Sequence, residues 1–290
     1  MYKHTPPDQS TKIPLSRSLL WILISTLFIS GTALMGCLYY LHLRERRLQD
    51  EQYRIVSLVQ TTAHTDRLKT SYLAELLELS LDRPLNLYQF NAKEAEKRLI
   101  ASPLIKKSTV RKVRPGTLYI HYHLRQPIAL IGDYTNTLID QEGVIFPYRP
   151  FFTPKRLTTV YLGLPAEEYQ WGDSLKKLET VKLAFQFIQQ FNKLKLNQFF
   201  LKQLDMGLAE ADSYGQRQIV AMLESLSDQG TIYLRLNPDD YLKNLRHFII
   251  LNQTLNFNLE KKKNVIMIDL RIPYLAFIKK ENLKEKENGK

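Results

Sequence analysis

Two histidines separated by one residue, His121 and His123, come closest to a spacing that does chemistry. On an extended strand the i and i+2 side chains leave the same face, so two imidazoles could converge on a zinc ion. A zinc site needs three or four ligands, and the local pattern supplies no third. The competing reading is an outward polar face shared with Tyr119 and Arg125. Asp239-Asp240 is an adjacent carboxylate pair, but it follows Asn237-Pro238 and reads as the acidic first turn of a helix. The chain has no Gly-rich phosphate loop, no HExxH and no nucleophile elbow. Its one cysteine, Cys37, falls inside an apolar run and leaves the rest of the chain without a thiol nucleophile or an internal disulfide. The expectation is a chain with no catalytic, cofactor-binding or metal-binding residues. A membrane-anchored cell-wall enzyme with a nonlocal carboxylate or nucleophile cluster stays open as an alternative.

Charge offers a second kind of site. Lys106, Lys107, Arg111, Lys112 and Arg114 crowd one segment of a chain whose net charge is +12. One reading is an edge strand guarded against unwanted pairing. The other is an anionic contact with lipid headgroups or an acidic partner. Interleaved aromatics for base stacking are missing, which argues against nucleic acid.

The elements that position these residues begin with an uncharged run from Leu19 to Leu41. As a helix its 23 residues extend about 34 Å, enough for a hydrocarbon core of about 30 Å. Tyr39 and Tyr40 stand at one end, where aromatic belts form. The favoured reading is a retained anchor. A cleaved signal after Gly31-Thr32-Ala33 and a lipobox ending at Cys37 are the alternatives, and apolar residues continue past both. Lys3, Lys12 and Arg17 before the run nearly balance Arg44, Arg46 and Arg47 after it, so charge does not orient the span.

Beyond the run, Tyr53 to Thr61 predicts a strand. Ser71 to Leu81 predicts a helix striped by Leu73, Leu76, Leu77 and Leu81. Asn91 and Glu94 predict a capped helix closed by Ser102-Pro103. Strands over 105–113 and 118–125 come next, joined by the Arg114–Thr117 turn; Leu118, Ile120, Tyr122 and Leu124 point one way. The order strand, helix, helix, strand, strand is a small α+β unit with its helices on one face. Past Pro127 the chain becomes strand-rich. Short strands are expected at 128–131, 137–140, 144–146 and 158–162, with Gly143 in a hairpin turn. A long helix from an Asp173 cap to Leu196 turns Leu178, Val181, Phe185 and Ile188 inward. Strands at 199–206, 217–223 and 231–236 precede a helix capped by Asn237 with Pro238 first. Final strands are expected at Val265–Ile272 and Leu275–Lys279, and residues 281–290 form a charged, disordered tail. Fold class is therefore α+β: one transmembrane helix, a βααββ domain, then a β domain with two covering helices.

Three segments carry a resemblance. Val110 to Leu130 (VRKVRPGTLYIHYHLRQPIAL) resembles the junction after a POTRA domain in the FtsQ/DivIB bacterial cell-division family. Leu138 to Phe146 (LIDQEGVIF) is similar to that family's hairpin, and Ile268 to Arg271 (IDLR) to its C-terminal strand. Arg114, Leu124 and Ile272-Pro273-Tyr274 depart from the family pattern. The resemblance implies a cytoplasmic tail at 1–18, the anchor at 19–41 and a linker at 42–52. It then implies a POTRA-like domain at 53–126 and a β domain at 127–280 outside the inner membrane, at the division site. It implies a non-enzymatic scaffold of the divisome with FtsB/DivIC-like and FtsL-like single-span partners and no cofactor. Partner capture would use strand addition at the C-terminal sheet edge, through Arg271 and Ile272 on one strand and Tyr274, Leu275, Ala276, Phe277 and Ile278 on the next. Leu275 and Phe277 could equally close the core, and both roles can hold at once. A POTRA-bearing export or outer-membrane assembly factor, or a membrane-anchored lipoprotein, is the alternative function.

Overall fold

The computed structural model describes residues 15–63, 65–80, 82–194, 196, 198–226, 230–255 and 264–282. The chain is mixed α/β, with one long apolar helix near its N-terminus and a large strand-rich sheet. Helix α1 (Leu15–Gln49) continues well past the uncharged run; its 35 residues span about 52 Å. From Leu19 onward it is long and apolar enough to cross a membrane, and its apolar side chains are exposed.

After a 3-10 turn at Glu51–Tyr53 come β1 (Ser57–Thr62), α2 (Thr70–Leu76), α3 (Ala92–Ala101), β2 (Ile105–Val113) and β3 (Thr117–Leu124). These strands form a three-stranded sheet in the order β1-β3-β2. Strand β3 alternates as its sequence predicts, with Leu118, Ile120, Tyr122 and Leu124 buried. Helix α2 is shorter than its leucine stripe suggests. It stops at Leu76, and Glu78 turns to a positive φ of 55° that no helix continues through. Leu81 lies outside the described residues.

The next strands are β4 (Pro127–Ile131), β5 (Thr137–Asp140), β6 (Ile145–Pro147) and β7 (Thr158–Tyr161). Helix α4 (Glu179–Lys193) leads to β8 (Phe199–Asp205), β9 (Ile219–Ser225) and β10 (Thr231–Leu236). Helix α5 (Tyr241–Leu255), β11 (Asn264–Asp269) and β12 (Phe277–Asn282) complete the described chain. The strands from β4 to β12 build a nine-stranded sheet in the order β12-β11-β10-β9-β8-β7-β4-β5-β6. It is mixed: β4–β7, β7–β8 and β10–β11 pair in parallel and the other neighbours antiparallel. Both helices pack on one face. Val181, Ala184, Phe187, Ile188 and Phe191 of α4 and Tyr241, Leu245 and Phe248 of α5 share one core with the inward residues of β4 and β7–β11.

Three boundaries differ from expectation for nonlocal reasons. Asp173 does not cap α4, which begins six residues later. Its Oδ2 accepts from the Gln170 N–H at 2.8 Å, while Ser174 bridges Val144 and the Leu175 N–H donates to the Gly143 carbonyl. Asn237 and Pro238 precede α5 by a turn, in which Asn237 Oδ1 accepts from the Asp239 N–H. Strand β11 ends at Asp269, so Arg271 and Ile272 sit in the turn after it. The tail expected at 281–290 falls outside the described residues, save Glu281 and Asn282 at the end of β12.

The chain divides into two compact units. One comprises Met1–Val59, Leu79–Ala92 and Arg111–Tyr119; the other comprises Gln60–Glu78, Lys93–Val110 and Ile120–Lys290. Within the first, the C-terminus of α1 is closed by a side chain distant in sequence. Asn86, 6% exposed, donates from Nδ2 to the carbonyls of Arg47 and Leu48, both at 3.0 Å, and to that of Asp50 at 3.4 Å. Its Oδ1 accepts from the Tyr88 N–H at 2.8 Å. Two of the last helical carbonyls, those of Arg47 and Leu48, thereby gain a partner outside the helix. Gly116 fits against the same segment: its carbonyl accepts from the Val56 N–H, and a Cβ there would overlap the Arg54 carbonyl oxygen.

Candidate interaction surfaces

Strand β12 is one end of the nine-stranded sheet, and β11 is its only strand neighbour among the described residues. The register pairs Ile268 with Ile278 and Asp269 with Phe277. Directly opposed residues share a face, so Ile278 stands on the helix-covered side with Ile268 and Phe277 on the other. Phe277 is 58% exposed, Ile272 and Leu275 about half exposed, and Tyr274 almost wholly so at φ +65°. Leu275 and Phe277 therefore do not close the core. Of the seven residues expected at this edge, Phe277 and Ile278 lie on β12; Arg271, Ile272, Tyr274, Leu275 and Ala276 form the turn leading into it.

That turn is held by charge. Asp269 accepts three contacts from the Arg271 guanidinium at 2.9–3.2 Å, and Arg235 Nη1 approaches it at 3.4 Å. Burial pushes the Asp269 carboxyl up, but the Arg271 hydrogen bonds and the two positive charges outweigh it and hold it below the usual carboxylate range. Arg271 also donates to the Gly215 carbonyl. Beside the turn, His247, Ile250 and Leu251 of α5 face Leu270, Tyr274, Leu275 and Ala276 across a largely apolar groove of about 230 Å³. The α5 half of that groove has no signature in the sequence, since helical exposure depends on which neighbour the helix meets.

The basic segment is split in use. Lys106 pairs with Glu142 at 2.7 Å, and Lys107 lines an open cavity of about 430 Å³ with His123, Gln126, Gln141 and Glu142. The Lys106 hydrogen bond holds the Glu142 carboxyl below its ordinary value. Arg125 binds the same corner, donating to Asp140 Oδ2 at 2.7 Å and to the Pro103 carbonyl. Arg111 and Lys112 are exposed, and Arg114 lies over the Tyr88 ring at 5.8 Å. His121 Nδ1 meets Thr61 Oγ1 at 3.0 Å, and the two histidine rings touch edge-on at 5.0 Å. Among the described residues no group of three or more His, Cys, Asp or Glu could hold a metal. Asp240 pairs with Lys243, and Asp239 accepts from the Tyr214 hydroxyl, which leaves the pair tied to local partners.

A second polar anchor had no sequence signal at all. Asp66, 2% exposed at its side chain, accepts from Thr153 Oγ1 at 2.9 Å, and among the described residues its Oδ2 has only the Lys155 ammonium, 2.6 Å away, as partner. Burial raises this carboxyl, and Lys155 with Thr153 more than offsets the rise, so its pKa lies below the ordinary value.

No protein-family model matches the chain, and no curated protein is detectably similar to it in sequence.

Proposed function

We propose that the chain is a non-catalytic, single-span membrane scaffold of the FtsQ/DivIB kind. Its βααββ segment would be a POTRA-like domain, and its nine-stranded sheet the β domain that captures FtsB/DivIC-like and FtsL-like partners at the division site. The tail would lie in the cytoplasm and the domains outside the inner membrane. The observation that carries this reading is the terminal edge at β12. It presents Phe277 and Ile278 on the strand, with Ile272, Tyr274 and Leu275 exposed just before it. An edge offers backbone N–H and C=O groups to an added strand, and exposed apolar side chains select which strand is added.

Successive N–H groups of a strand point to opposite sides, so proline at Phe277 or Ile278 removes a β12 donor either from the open edge or from the ladder with β11, and each breaks the continuous edge an added strand needs. Phe277→Pro should abolish co-purification of the single-span partners and disperse a fluorescent fusion from mid-cell, while the βααββ segment keeps its protease resistance. Unchanged capture by the proline variant would overturn the strand-addition reading. A fusion spread evenly around the envelope in the unmodified chain would overturn the division-site reading.

A further inference from the structure

We propose that Arg47, Arg114 and Tyr88 form a clamp for the phosphate of an anionic phospholipid at the bilayer surface; this rests on the reading that α1 spans a membrane. Arg47 lies six residues beyond Leu41, the end of the uncharged run, or about 9 Å along the helix. Side chains on a helix tilt toward its N-terminus, so Arg44, Arg46 and Arg47 lean back toward the hydrocarbon. Helix α1 runs unbroken through this stretch to Gln49 and is then fixed by Asn86, so the height of the neighbouring loop above the bilayer is set by the helix itself.

That loop carries Tyr88. The guanidinium carbons of Arg47 and Arg114 each lie 5.8 Å from the Tyr88 ring centre, and Tyr53 abuts the same ring edge-on at 5.0 Å. Both guanidiniums thus lie within cation–π reach of one ring. Neither guanidinium has a carboxylate within ion-pair distance among the described residues. The Tyr88 hydroxyl is out of solvent and has no hydrogen-bond partner among them. An anion held beside the Tyr88 ring would offset the like charge gathered there and accept in-plane N–H bonds of the kind guanidinium makes to phosphate. The surroundings favour it. From His42 to Val59, Leu79 to Ala92 and Arg111 to Tyr119 there are eight Arg or Lys against four Asp or Glu. A headgroup phosphate is the anion present at this height, within the screening length of about 8–10 Å.

The test uses the full chain in nanodiscs of phosphatidylcholine, with or without 40% phosphatidylglycerol. Arginine exposure is read by dicarbonyl labelling and mass spectrometry. Arg47 and Arg114 should label more slowly in the anionic discs, while the exposed Arg246 on α5 is unchanged. Each basic residue near such a surface contributes about fivefold in partitioning. In Arg47→Gln the protection of Arg114 should therefore fall about fivefold, and the same should hold for Arg47 in Arg114→Gln. Equal labelling in both kinds of disc overturns the proposal. So does protection shared by Arg246, which marks a nonspecific field. Equal protection in phosphatidylcholine discs by added inorganic phosphate also overturns it, by showing a free-anion site. Release of the chain from the discs by alkaline carbonate would refute the membrane span itself, a failure separate from all of these.

Discussion

Replacing Asn86 by alanine tests how firmly the long apolar helix α1 is joined to the loop packed at its C-terminal end. The substitution removes two good hydrogen bonds to the Arg47 and Leu48 carbonyls and one from the Tyr88 N–H; the 3.4 Å contact to Asp50 adds little. Each bond contributes about 1 kcal/mol net, and the site is buried, so the loss should be about 3 kcal/mol. At 1.4 kcal/mol per decade this is roughly 150-fold in the local opening equilibrium. The assay is hydrogen exchange of the full chain in nanodiscs, read at Ile55 and Leu87. The Ile55 N–H donates to the Leu85 carbonyl and the Leu87 N–H to the Tyr53 carbonyl, so the two bonds flank Asn86 in sequence. Asn86→Asp sharpens the test. It keeps an acceptor for Tyr88, so about 2 kcal/mol of hydrogen bonding is lost, and it places a carboxylate at the negative end of α1, which should add about 0.3–1 kcal/mol near neutral pH that recovers on acidification. Acceleration below about threefold in Asn86→Ala, or an Asn86→Asp variant whose opening equilibrium does not recover on acidification, would refute the idea that this side chain closes the helix.

The folded-state pKa values of Asp66 and Asp269 are depressed, so their contribution to stability is fully present above the unfolded carboxylate value near 4 and is lost as pH falls through the folded values. Denaturant midpoints should therefore drop between about pH 5 and 3, and the gap between Asp66→Asn and the unmodified chain should narrow over that range; a gap independent of pH would contradict the assignment. Gly116→Ala forces a Cβ onto the Arg54 carbonyl oxygen and should cost about 1–3 kcal/mol, read as faster exchange at the Val56 N–H. An unaltered rate there would show that the segment shifts freely.

Local periodicity revealed much of this architecture. The alternation Leu118, Ile120, Tyr122, Leu124 describes a strand with one buried face, and that is what β3 is. The stripe in α4 was visible too, although Ala184, Phe187 and Phe191 carry more of the buried face than Phe185 does. What escaped was nonlocal. Residues 172–175 pair with the β5–β6 hairpin through Gly172 and Ile145, which holds the chain extended where an aspartate suggested a helix start. Asn86 sits between two leucines in a loop with no repeating pattern, and only the arrival of a helix end 36–39 residues earlier gives it a role. The exposed turn before β12 was within the expected segment, but sheet order decides that it borders an edge, and order is not written in any one strand.

The unbroken passage from α1 into its Asn86 closure makes the long apolar helix behave as a spindle. Inserting a single residue between Leu41 and Arg44 would swing the loop bearing Tyr88 by about 100° in azimuth while raising it only about 1.5 Å. Deleting one would swing it the opposite way. The length of that short stretch, more than its composition, then dictates which compass direction the Tyr88 loop faces about the helix axis.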